Sequence, residues 1–150
     1  MMTDEDVWQH NMVEKGGVIK LTKEIYESQI FTKQQAGSKP WVISIINRPV
    51  NGKVSEYSTF MMKTLYFLQQ NFKEDFNVAW LDTHDEYLRE AFDNDGLPQT
   101  VYIRDGKPYY LPWDTMSTVA VLKFILKYEA RAVSKLIELG PVRSSFSIYP

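Results

Sequence analysis

The side chains able to do chemistry are few and scattered. His84-Asp85-Glu86 sets three ligand-type residues in a row. Neighbours on a helix point in different directions, so a capped helix start accounts for them better than a metal site. His10 is the only other histidine, far away in the N-terminal stretch. Asp93 and Asp95 flank Asn94 in a way that suggests calcium, but the rest of the calcium-loop pattern and its closing Glu are missing, and a turn explains them. Arg48-Pro49-Val50-Asn51-Gly52-Lys53 stands between a strand and a helix, as a phosphate loop does. The motif's first glycine falls on Asn47 and its magnesium hydroxyl on Val54, so Lys53 reads as a solvated residue at a helix start. The chain has no cysteine, which removes disulfides, thiol redox chemistry, thiolate zinc sites and a thiol nucleophile. No catalytic residue, metal set or cofactor is expected, and a non-enzyme is favoured.

Composition narrows the class further. One hundred and fifty residues, 44% hydrophobic and 14% aromatic, suffice for one domain with its own core. A net charge of −2 without a dominant basic block argues against a nucleic-acid partner. No apolar run reaches the roughly 18 residues of a membrane span. Met1 to Asp6 is acidic, unlike a secretory signal or a transit peptide. An intracellular location is favoured, with a mitochondrial complex as one setting to test.

The elements that must position these residues follow from periodicity. Met1 to Gly16 forms an arm in which Trp8 and Met12 are spaced as on a short amphipathic helix, either a loose tail or a dock for a partner through Trp8. Val18 to Leu21 reads as a strand. Thr22 caps a helix from about Lys23 to Gln35, with Ile25, Ile30 and Phe31 expected inside. Trp41-Val42-Ile43-Ser44-Ile45-Ile46 is short and nearly all apolar, the pattern of a central strand covered on both faces. A long helix is expected over about Val54 to Asn71, with Phe60, Met61, Leu65 and Leu68 on its stripe. Asn77 to Leu81 is the next strand. Thr83 with Glu86 matches a capping box for a short helix bearing Tyr87, Leu88, Ala91 and Phe92.

Val101 and Ile103 then alternate with Thr100, Tyr102 and Arg104, the signature of a half-buried strand. Asp105-Gly106 supplies the positive φ angles of a tight hairpin turn, and Lys107 to Leu111 is the return strand. Pro108 has no amide hydrogen, which assigns that strand to an edge. A cis bond ahead of Pro98 is expected to set the entry angle. Asp114 is an N-cap candidate for a last helix running from about Met116 towards Leu139, with Val119, Leu122 and Ile125 at helical spacing. The order predicts a three-layer α/β/α sandwich with a mixed sheet and a C-terminal antiparallel hairpin. The organisation is an arm over 1–16, a domain over 17–127 and a helical extension with tail over 128–150.

Three segments resemble the thioredoxin fold of thioredoxins and protein disulfide isomerase domains, and the likeness spans about residues 17 to 127. Lys39 to Ile46 is similar to the family's central strand. Val78 to Asp82 and its following helix are similar to the next strand and capped turn. Gly96-Leu97-Pro98-Gln99-Thr100-Val101-Tyr102-Ile103 with Asp105-Gly106 resembles the cis-proline turn, strand and hairpin. The departures are chemical. Where the family carries Cys-x-x-Cys, this chain has Val50-Asn51-Gly52-Lys53. Where its central strand carries a buried acid, Ser44 stands. Disulfide exchange needs a thiolate and a sulfur to attack, so the resemblance is to a redox-inactive member. A glutathione transferase N-domain shares the proline turn, but Leu111-Pro112-Trp113 replaces the acidic-Ser pair expected after its hairpin.

The resemblance implies a groove for extended peptides beside the proline, lined by Leu97, Pro98, Pro49, Val50 and Trp113; strand addition needs only backbone groups and side-chain pockets. The plainer alternative is that Pro98 only shapes its turn. Two functions are therefore expected. One is an accessory or scaffolding subunit of a larger protein assembly, with Trp8, Phe146 and Tyr149 on the added ends as contact candidates. The other is a chaperone-like peptide-binding domain, similar to the cysteine-free domains of disulfide isomerases.

Overall fold

Six residues, Trp41–Ile46, form strand β2, and every one of them is buried. The computed structural model, which describes residues 15–31, 37–47, 55–112 and 117–127, puts this strand in the middle of a five-stranded sheet of order β1-β3-β2-β4-β5. β1 (Ile19–Lys20) and β2 run parallel to β3 (Asn77–Asp82). β4 (Gln99–Arg104) pairs antiparallel with β2, Ile43 facing Val101 and Ser44 facing Thr100. β5 (Lys107–Tyr110) closes the edge as a hairpin with β4.

Alternation divides the apolar residues between two cores. Val42 and Ile46 of β2, Val78 and Trp80 of β3 and Tyr102 of β4 pack with α2 (Glu56–Phe72) and α4 (Thr118–Leu126). Trp41, Ile43 and Ile45, Ala79 and Leu81, and Val101 and Ile103 face the opposite way. There they meet Ile30 of the first helix and Leu88 and Phe92 of α3 (Glu86–Ala91) and its end. The sheet is thus covered on both sides, the three-layer α/β/α arrangement, as a strand apolar at every position requires.

The hairpin has the expected geometry. Asp105 and Gly106 both have positive φ, 52° and 77°. Leu111 N donates to Thr100 O at 3.0 Å. Bonded pairs alternate along an antiparallel ladder, so Arg104 with Lys107 and Tyr102 with Tyr109 are also bonded pairs. Pro108, opposite Ile103, therefore turns its nitrogen to the outer edge, where no ladder donor is needed.

Several local expectations are corrected. The first helix begins at Lys23 under its Thr22 cap, but among the described residues it is α-helical only over Lys23–Ile25 (α1) and continues as π-helix over Tyr26–Phe31, the expected stretch to Gln35 lying outside the described residues. The wider turn keeps Ile30 inside and swings Phe31 out to 73% exposure; a 3.6-residue period does not anticipate that rotation. α2 starts two residues later than expected, capped by Ser55, whose Oγ accepts from Ser58 N at 3.2 Å. The capping box on Thr83 does not form. Asp85 caps α3, accepting from Leu88 N at 3.0 Å, while Thr83 is buried and donates its amide to Ile46 O. α4 is capped by Ser117, and its buried face is Val121, Leu122 and Ile125, with Val119 exposed.

The bond ahead of Pro98 is trans, since the described residues include no cis peptide. Side chains and a glycine shape that turn instead. Gly96, at φ +95°, donates its amide to Asn94 Oδ1 at 2.8 Å. Asn94 Nδ2 donates to Leu97 O at 3.0 Å, and Asp95 Oδ1 accepts from Leu97 N at 3.3 Å. A Cβ on Gly96 would sit 3.3 Å from the Arg89 guanidinium, so both conformation and space favour glycine there.

Candidate functional site

The resemblance to the thioredoxin fold implies chemistry where β2 runs out towards the start of the long helix. The cross-strand pair Ser44 and Thr100 lies there, both essentially without solvent contact. Their hydroxyls are 2.9 Å apart. The Tyr57 hydroxyl, reaching in from the first turn of α2, is 2.9 Å from Thr100 Oγ1. Three hydroxyls thus form one chain through the α2 side of the sheet. Each has a partner, as buried polar groups require. Burial raises the Tyr57 phenol above its ordinary value, an effect partly opposed by the Thr100 hydrogen bond. The chain of hydroxyls is accordingly uncharged near neutral pH and offers no general base there. With no cysteine in the sequence, these groups have no thiol to serve.

Around this interior the polar side chains serve the backbone. Thr83 Oγ1 donates to Asn47 Oδ1 at 3.4 Å, and Arg89 Nη1 donates to Thr83 O at 3.1 Å, tying α3 to the end of β3. His84 stands out in solvent at 66% exposure, its Nδ1 3.0 Å from Asp82 Oδ1. With Asp85 turned back to cap α3 and Glu86 exposed, the triplet does not converge on a point. No cluster of three ligand-type side chains able to hold a metal occurs among the described residues. Asn94 and Asp95 are engaged in the turn described above.

Of the groove candidates, Leu97 and Pro98 are described. Leu97 is 63% exposed, an apolar side chain presented at the site end of the sheet. Pro49, Val50 and Trp113, the redox-motif positions Asn51, Gly52 and Lys53, and Trp8, Phe146, Tyr149 and Asp114 lie outside the described residues. So do the extension over 128–150 and all but the last two residues of the arm over 1–16.

A second concentration of side chains sits on the other face, where periodicity does not point. The Tyr26 ring lies 6.2 Å from Phe31, 6.4 Å from Tyr87 and 5.4 Å from Phe92, the last two edge-on. Tyr26, Phe31 and Phe92, with Tyr110 of β5, border a cleft of about 390 Å³ that Ile30 and Ile103 also line. The cleft continues into one of about 570 Å³ that also meets Glu27 and Glu90. Tyr110 Oη donates to Phe92 O at 2.7 Å, fixing one wall. The Lys23 ammonium lies 4.9 Å from the Tyr87 ring centre. Burial, then the negative charge of Asp93, raises the Tyr110 phenol.

Solved structures agree with this architecture. The J-Trx1 fragment of ERdj5 superposes with a TM-score of 0.58 at 12% identity, covering 78% of this chain and 52% of the fragment. The first thioredoxin domain of mouse protein disulfide-isomerase A4 gives 0.55 at 16%, covering 91% and 87%. A cysteine-to-serine mutant of an Entamoeba histolytica thioredoxin gives 0.50 at 13%, covering 73% and 98%. The chain thus spans about half of the ERdj5 fragment and 18% of full-length ERdj5. No family model and no curated protein matches the sequence. At such identities the likeness is one of fold: the chain has the thioredoxin-like fold, without the thiols on which disulfide exchange depends.

Proposed function

We propose that this chain is a non-catalytic interaction protein, an accessory or scaffolding subunit that uses a thioredoxin-like frame to hold other proteins. The observation that carries this reading is the interior of the site: Ser44, Thr100 and Tyr57 are joined hydroxyl to hydroxyl where a reductase needs a proton acceptor beside a thiol. Exposed apolar side chains on an otherwise well-filled domain, Leu97 and Phe31 foremost, give it surface to bind with. A mitochondrial complex is the setting to test first. Affinity purification of the full chain under native conditions, with identification of what co-elutes, tests the reading. Stoichiometric partner subunits are expected; the chain recovered alone would contradict it.

Exposed Leu97 beside Pro98 favours a second reading, a chaperone-like domain that takes extended peptides at this turn. The trans bond and the Asn94 and Asp95 hydrogen bonds give the turn a different basis from the one the resemblance implies. Titration with an unfolded peptide while following the Leu97 and Gln99 amides decides it; no shift at millimolar peptide removes this alternative.

A further inference from the structure

The cleft between the π-helical segment and α3 lies on the opposite layer from the Ser44 site. Three features distinguish it from ordinary surface. Its walls are aromatic, and Phe31 stands 73% exposed at its rim. Its π-helical wall has a geometry that is rare in proteins and concentrated at functional places. Its rim is acidic: Glu27 and Glu90 both border it, and the Asp93 charge acts on Tyr110. Beside it the Lys23 ammonium lies 4.9 Å from the centre of the Tyr87 ring, the placement an aromatic face gives to a cation.

From this charge complementarity we propose that the cleft is the docking site for an arginine-bearing apolar segment of a partner protein. A guanidinium is planar and weakly hydrated. It stacks on tyrosine or phenylalanine faces while its edges donate to carboxylates. Tyr26 and Phe31 supply the faces, and Glu27 and Glu90 supply the acceptors. Apolar residues beside the arginine fill the floor at Ile30 and Ile103. The proposal rests on the interaction reading above and names its contact surface. Lys23 competes for the same field, so its removal strengthens binding.

The test uses the full chain and three synthetic peptides followed by amide NMR: acetyl-Ala-Leu-Arg-Leu-Phe-Ala-amide, the same peptide with citrulline for arginine, and the same peptide with glutamate. The arginine peptide is expected to shift amides over Tyr26 to Phe31 and Tyr87 to Phe92. Citrulline, which keeps shape and loses charge, should bind about tenfold more weakly, as one lost charge-assisted contact implies. The glutamate peptide should not bind. Glu27→Gln with Glu90→Gln should weaken the arginine peptide by a similar factor while leaving the melting temperature in place, and Lys23→Ala should tighten it. Equal binding of arginine and citrulline peptides, no binding of any, or shifts confined to Leu97 to Thr100 would overturn the proposal. A native assembly that persists in Phe31→Asp also overturns it while leaving the interaction reading intact. An unassembled wild-type chain overturns that reading on its own, whatever the peptides do.

Discussion

Between β2 and α2 the polar side chains are enclosed and bonded to one another; between the π-helical segment and α3 acidic and aromatic side chains border an open cleft. The first region has Ser44, Thr100 and Tyr57 in one chain of hydroxyls, each bonded to a neighbour. The second has carboxylates and rings around an open cleft. In a thioredoxin-like fold the first region is where chemistry is expected, yet here it has the character of a satisfied core. The second has no place in the fold's redox chemistry and has the character of a contact surface. Position in a fold therefore says less about function than the chemistry of the side chains that occupy it.

An acid placed in the interior has the largest expected effect. Ser44→Asp places a carboxylate at a site with no solvent contact and no cation among its hydrogen-bond partners. A loss of about 3 kcal/mol is expected at neutral pH in denaturant unfolding. The buried carboxyl has its pKa raised, so the loss should shrink as the pH falls and the acid becomes neutral.

Tyr57→Phe removes one hydroxyl and leaves Ser44 paired with Thr100, for a cost of about 1 kcal/mol. It also changes the alkaline limb. The folded phenol is raised above its ordinary value near 10, so its contribution is complete below that pH and is lost as pH rises through the folded value. Part of the wild-type loss of stability above pH 10 should be absent in the variant.

Ser55→Ala removes the α2 cap and should cost roughly 1 kcal/mol or somewhat less, since Ser55 is exposed. Phe31→Ser tests the cleft in the same way. Its ring is mostly in solvent, so stability should change by less than about 0.5 kcal/mol while partner binding falls. A large destabilisation would show that Phe31 belongs to the core after all.

The frame is legible because β strands announce themselves. Trp41 to Ile46 is apolar at nearly every position and proves central; Asp105-Gly106 proves a hairpin with both φ angles positive. The expected neighbour relation is also present, with β2 and β4 lying side by side. The cis bond expected at Pro98 is absent, and Asn94, Asp95 and Gly96 hold that turn by hydrogen bonds that a proline-centred reading overlooks. Phe31 lies outside the core because a π-helical stretch breaks the period on which helical faces are judged. The cleft is hidden for that reason and one more, since its walls come from Tyr26, Tyr87 and Tyr110, far apart in sequence. The hydroxyl chain leaves a trace: Ser44 in an apolar strand and Thr100 in the strand paired with it are the polar exceptions that need each other.

The most direct test of the central claim is the sedimentation of the endogenous chain in an unfractionated native extract. The account predicts a particle well above the 17.5 kDa of the chain itself, collapsing towards that mass in the Phe31→Asp variant. Wild-type chain sedimenting at its own mass would contradict the account.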